Sequence, residues 1–195
     1  DTENRMKSAK LMAYLGTLLL AAGLMTACGN APLKGGLGIK GAPDWVDQGT
    51  QVLNDQDGKV IHGVAMVQAM PDLSLQESTA DTRARAEVAR VLNTFIHDAT
   101  QDYNAAAGTG KDQSVDQSIS RQLQTITDQN LSGVIILQRW HNPNDGSMWS
   151  IAALKLSQVK DSIANAQDLN AGFRDYFKAN ADNIFDSMKA KGDHQ

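Results

Sequence analysis

The chain has a single cysteine among 195 residues, so an intramolecular disulfide framework is excluded, and no Cys/His cluster has the spacing of a structural zinc site. Aromatic residues are few, at three Trp, three Tyr and four Phe, and there are only four prolines. No Lys/Arg block is present and the formal charge is −4, which argues against nucleic acid as the main partner, because neutralising phosphates takes clustered cations. The apolar run Leu11 to Leu24, 14 residues free of charge, falls below the ~20 residues that a membrane-spanning helix needs. What remains is 42% apolar residues, enough for one medium domain with its own core.

That apolar run has its own meaning. Met6-Lys7-Ser8-Ala9-Lys10 is a basic region, Leu11–Leu24 an apolar core, and Met25-Thr26-Ala27-Cys28 a small-residue ending, the three parts of a secretory signal peptide. The ending resembles a bacterial lipobox, with Leu24-Met25-Thr26-Ala27 leading into Cys28. That resemblance implies acyl chains on Cys28 as the first mature residue, and several chains anchor stably where one binds marginally. Gly29 follows in place of the Asp associated with inner-membrane retention, which implies the outer membrane. Asp1 to Arg5 precede Met6 and read as an upstream remnant. Removing residues 1–27 takes away Arg5, Lys7 and Lys10 against Asp1 and Glu3, so the exported part is the more acidic.

Residues 28–41 are small and Gly-rich, the composition of a flexible tether. Gly36-Leu37-Gly38-Ile39-Lys40-Gly41 matches a dinucleotide fingerprint in letters only, because Ala42-Pro43-Asp44 stands where a helix should open. A single globular domain is expected over 42–195, beginning with Asp44 as an N-cap and Trp45 and Val46 as the first bulky apolar residues. Asp55-Gln56-Asp57-Gly58 reads as a turn. Lys59 to Ala69 reads as a strand with Val60, His62, Val64 and Met66 on one face and Ile61, Gly63, Ala65 and Val67 on the other.

A long helix follows from about Leu73 to Ala106, its stripe running through Ala84, Val88, Val91, Leu92, Phe95, Ala99 and Tyr103. Arg83 with Glu87, and Asp81 with Arg85, stand four apart and predict a solvated face with weak ion pairs. Ala107-Gly108-Thr109-Gly110-Lys111 breaks the helix; Ala105 and Asp112 stand where a phosphate-binding loop needs Gly and Ser or Thr. Val115, Ile119, Leu123 and Ile126, in a polar Gln/Ser/Thr-rich stretch, suggest a marginal second helix or a partner-facing one. Strands at Leu131–His141 and Met148–Leu156 flank the turn signal Asn142-Pro143-Asn144-Asp145-Gly146-Ser147, a hairpin that sets Trp140 opposite Trp149. Ser147 and Ala153 hold the places where a calcium loop needs Gly and Glu. Ser157 to Lys191 reads as helical, with Leu169, Phe173, Phe177, Ile184 and Met188 along one side and Tyr176 and Phe185 beside them. The pattern fits either packing on the sheet or docking on a neighbouring subunit, which makes Phe173, Tyr176, Phe177 and Phe185 a candidate interaction surface.

No G-x-S-x-G elbow, H-E-x-x-H pair or C-x-x-C occurs. His62, His97 and His141 have no nucleophile placed beside them by motif. The expectation is therefore a non-enzyme without cofactor or metal; a histidine sharing one cleft with a carboxylate would revive a hydrolase.

Three features in order, the lipobox cysteine, Ala42-Pro43-Asp44-Trp45-Val46, and Thr82-Arg83-Ala84-Arg85-Ala86-Glu87-Val88-Ala89-Arg90 opening a long helix, resemble the Lpp-twenty lipoprotein family of bacterial outer-membrane lipoproteins and their flagellar relatives. The resemblance covers Cys28 to Leu156. It implies an α+β fold ordered strand-helix-strand-strand-helix, no catalytic residues, and a role in envelope architecture or flagellar assembly as a homo-oligomer or part of a complex. A monomeric binding module for a polysaccharide, peptide or host partner is the alternative.

Overall fold

A computed structural model describes residues 37–49, 59–108 and 113–192. They belong to a compact unit running over Gly36–Gln195. In chain order this unit contains α1 (Asp44–Gln48), β1 (Val60–Val67), α2 (Leu73–Ala107), α3 (Gln113–Leu131), β2 (Ile135–His141), β3 (Met148–Lys155), α4 (Leu156–Asn165) and α5 (Ala171–Gly192). The class is α+β: a three-stranded antiparallel sheet in the order β1-β3-β2, with a long helix on one face and a C-terminal helix beyond.

The long helix organises everything else. Asp72 caps it, its carboxylate accepting the Leu75 N–H at 3.0 Å, and Gly108 closes it in the left-handed conformation at φ 65°. Its 35 residues make a rod of about 52 Å. The first half is lined with small residues, Ala80, Ala84 and Val88, which let it lie against the sheet. Gly63 of β1 completes that approach: a β-carbon there would stand 2.3 Å from the Ala84 carbonyl oxygen and 2.6 Å from the Val88 nitrogen. The second half leaves the sheet and enters a helical layer. There Phe95 meets Phe177 and Phe185 edge-on at 5.6 and 5.9 Å, and Tyr103 meets Phe173 at 5.5 Å. Such pairs contribute ~0.5–1.5 kcal/mol each beyond their buried area.

The hairpin forms as its turn residues predict, with Trp140 opposite Trp149 and His141 opposite Met148. Asn142 and Asp145 each bend the chain with their own side chains, accepting the N–H groups of Asn144 (3.0 Å) and Ser147 (2.8 Å). Gly146 takes φ 71°. Its carbonyl, and that of Gln68, accept hydrogen bonds from the side-chain amide of Gln76, a buried residue in the first turn of α2. One glutamine thus ties the helix start to the hairpin tip.

Four expectations need correction. The strand expected from Leu131 starts at Ile135, because α3 continues to Leu131 and its closing turns run through Val134, whose N–H reaches the Leu131 carbonyl. The marginal second helix is a full 19-residue element that buries Ile119, Leu123 and Ile126. The C-terminal helical stretch is two helices. Asn170 caps the second, its side-chain oxygen accepting the Phe173 N–H at 3.0 Å and the Tyr103 hydroxyl at 3.3 Å. Asp44 is the first helical residue rather than the cap, a place held by Pro43. The turn expected at Asp55–Gly58 lies outside the described residues.

The expected tether is also shorter at its far end. Gly38 N–H donates to Asp47 at 2.7 Å, and Ile39 and Ala42 pack against Trp45, Val46 and Ile151. Gly38 and Gly41 have positive φ in the turn that delivers α1, which is not the strand-to-helix turn of a dinucleotide site.

Candidate functional site

Cys28, the expected lipidation site, lies outside the described residues. The candidate interaction surface on α5 is corrected by burial. Phe173, Phe177 and Phe185 are covered by the domain's own α2, and only Tyr176 keeps partial exposure. The physical reason is length, because α2 outruns the sheet and its second half needs an aromatic partner layer. Burial, and then the nearby Asp102, push the Tyr176 hydroxyl above the ordinary tyrosine range.

The three described histidines do not converge. His62 is buried in mid-strand on the sheet face away from α2, His97 hydrogen-bonds Gln101 at 3.0 Å on the outer side of α2, and His141 ends β2. The turn carboxylate Asp145 is occupied by its own loop; the Ser147 hydroxyl and then the Ser147 N–H hold it below the usual carboxylate range. Among the described residues no group of three His, Cys, Asp or Glu is placed to hold a metal ion. A cleft of about 340 Å³ lies between β1, β3, α4 and α5. Two of its three lysines are engaged: Lys59 binds Asp186 at 2.6 Å and the Asp182 carbonyl at 2.7 Å, and Lys160 binds the Asp182 carboxylate at 2.8 Å.

Asp81 carries the strongest electrostatic arrangement, and spacing on the helix does not reveal it. It is 7% exposed and takes a two-pronged contact from Arg139 of β2, at 2.8 and 2.6 Å, plus the Ser150 hydroxyl of β3 at 2.8 Å. The Arg139 hydrogen bonds hold its carboxyl below the ordinary range; burial opposes and Ser150 assists. Arg85, the partner expected along the helix, adds only a weaker charge effect, and Glu87 pairs with Arg90 rather than Arg83. A carboxylate held this way braces the helix against two strands and makes a poor proton acceptor. Period-two alternation carried the signal: with Trp140 on the outer face, Arg139 must face the helix.

The sheet face away from α2 holds the most distinctive surface. Three cross-strand rows cross it: His62-Ala153-Ile135, Val64-Ile151-Gln138 and Met66-Trp149-Trp140. Trp45 and Val46 of α1 seal against Ile151, with the Trp45 indole N–H donating to the Gln138 side chain at 2.7 Å. All three tryptophans of the chain therefore gather here. His62, Ile151, Ala153 and Trp45 are buried, Trp140 and Trp149 are half-buried, and Ile135 (56%) stands largely in solvent.

Comparison with protein-family models finds no match to this chain, and comparison with curated proteins finds none either.

Proposed function

We propose that this chain is a lipid-anchored outer-membrane lipoprotein with a structural or assembly role in the cell envelope, as an accessory of the flagellar basal body. The observation that carries the reading is the run from Met6 to Cys28: a basic start, an apolar core shorter than a membrane span, and Leu24-Met25-Thr26-Ala27 before the chain's single cysteine. No helix among the described residues is long and apolar enough to cross a membrane. The resemblance of Ala42–Val46 and Thr82–Arg90 to the Lpp-twenty lipoproteins supplies the flagellar part of the proposal.

The test is labelling with palmitate in a two-membraned bacterial host, followed by density fractionation of the envelope. Wild type should incorporate label and float with the outer membrane, and Cys28→Ala should do neither. Unlabelled wild-type protein refutes the anchor. Gene deletion should then abolish swimming while leaving envelope permeability intact, with rescue by wild type but not by Cys28→Ala. Normal swimming refutes the flagellar assignment and leaves an envelope role.

A further inference from the structure

We infer that residues 38–49, with α1 at their centre, form a releasable strap that undocks from the sheet as one piece while the core of the domain stays folded. Its use as extra tether length rests on the lipid anchor proposed above.

The segment is closed on itself. Its backbone hydrogen bonds run inward, from the Ala42 N–H to the Ile39 carbonyl at 3.0 Å, from the Val46 N–H to the Pro43 carbonyl at 2.9 Å, and from the Gly49 N–H to the Trp45 carbonyl. The Gly38 N–H donates to the Asp47 carboxylate at 2.7 Å, so the chain returns to its own start nine residues on. None of these bonds is lost when the segment leaves the sheet.

Its docking is shallow and separate. Trp45 and Val46 pack with Ile151 on the sheet face opposite α2, in a cluster distinct from the main core that Leu92, Phe95 and Phe177 fill. Among the described residues one hydrogen bond joins strap to sheet, from the Trp45 indole N–H to the Gln138 side chain at 2.7 Å. The turning points are glycines. Gly38, Gly41 and Gly49 take φ of 64°, 82° and 70°, and a β-carbon at any of them would meet no atom within 4 Å, so no packing holds the hinges. A unit tied to the rest by so few contacts opens below the free energy of global unfolding.

The strap lies in the chain between Cys28 and every strand, so tension from an anchored Cys28 reaches it before the sheet. Straightening the loop that Gly38 and Asp47 close adds about 30 Å of chain. The tether is short with the strap docked and long with it released.

Hydrogen exchange of the full chain, resolved by residue across a series of urea concentrations below the unfolding transition, tests the opening. The Ala42 and Val46 amides should exchange sooner than that of Leu92 and with less dependence on urea, because little surface is exposed when the strap alone opens. Gln138→Ala should speed the Val46 amide about fivefold, the effect of one hydrogen bond. Phe177→Leu, which loosens the main core, should lower the protection of Leu92 and leave that of Val46 unchanged. A urea dependence shared by Val46 and Leu92 overturns the inference, as does Val46 losing protection together with Leu92 in Phe177→Leu. Exchange as expected on a chain whose mass shows no acyl groups at Cys28 refutes the anchor and the tether role while upholding the opening.

Discussion

Gly63→Ala tests how closely the long helix approaches the sheet. The added methyl would stand 2.3 Å from the Ala84 oxygen, 2.6 Å from the Val88 nitrogen and 2.9 Å from a Val88 methyl, where ordinary contact begins at 3.4 Å. Two of those atoms are helix backbone and have no rotamer to escape into, so α2 must retreat from β1 by roughly 1 Å, an overpacking that typically costs ~1–3 kcal/mol. The upper end applies here. The same rod holds Phe95 against Phe177 and Phe185 farther along, and a retreat at one end loosens the other. Alanine restores ~0.4–1 kcal/mol by stiffening the unfolded chain, leaving a net loss of ~2 kcal/mol. For a chain of this size that is a fall of roughly 4–8 °C in Tm. Urea unfolding of the full chain followed by circular dichroism gives the number directly, as a lower midpoint at unchanged slope. Gly133→Ala is the milder comparison, since its nearest neighbour, the Asn130 oxygen, lies at 3.3 Å, only 0.1 Å inside ordinary contact. A Gly63→Ala protein within ~0.5 kcal/mol of wild type, the range of ordinary surface changes, refutes the close approach.

Other expectations follow from the same contacts. Asp81→Asn leaves Arg139 and Ser150 without their carboxylate and should cost ~1–3 kcal/mol at neutral pH. Because the folded carboxyl titrates below its ordinary value, its stabilisation is complete above that value and vanishes as pH falls through the depressed one; a pH series of wild type and Asp81→Asn should therefore converge in acid. If the two stay parallel throughout, the pairing is not what holds Asp81. Phe177→Ala should cost ~3–5 kcal/mol by opening the aromatic layer, with Tyr176→Ala costing clearly less because it is only partly covered; thermal melts of the pair check the ordering. Asn170→Ala should cost ~1 kcal/mol through the lost cap of α5, measurable by the same melts.

What was legible in the sequence was what is local. The hairpin is written in Asn142–Ser147 and the alternation on both sides, and the long helix in a stripe that never loses its period from Ala84 to Tyr103. Elements fixed by distant partners were not. Asp81 looked like a surface acid because its nearest charge in sequence is Arg85, whereas the group that binds it comes from a strand formed much later in the chain. The α5 aromatics were ambiguous because one pattern serves an inner and an outer contact; only the length of α2 decides between them. The join at Asn170 was hidden by the apolar pattern continuing across it from Leu169 to Phe173, and the capping asparagine three residues before Phe173 was the signal that marked it. As for the candidate surface, Trp140 and Trp149 could be paired from the turn, but Trp45 joins them only through the fold.

The strand order has a consequence for the chain's birth. β1 is made early and finds its pairing in β3 alone, so Val60 must wait for Lys155 and Val67 for Met148. Until the last strand has been synthesised, β1 and α2 have no sheet to complete, and closing so wide a loop is slow because its entropy must be surrendered before any contact rewards it. A polypeptide threaded through a membrane pore has to stay loose in transit. Placing the middle strand last withholds the completed sheet until Lys155 has been made, a delay that serves the export proposed above.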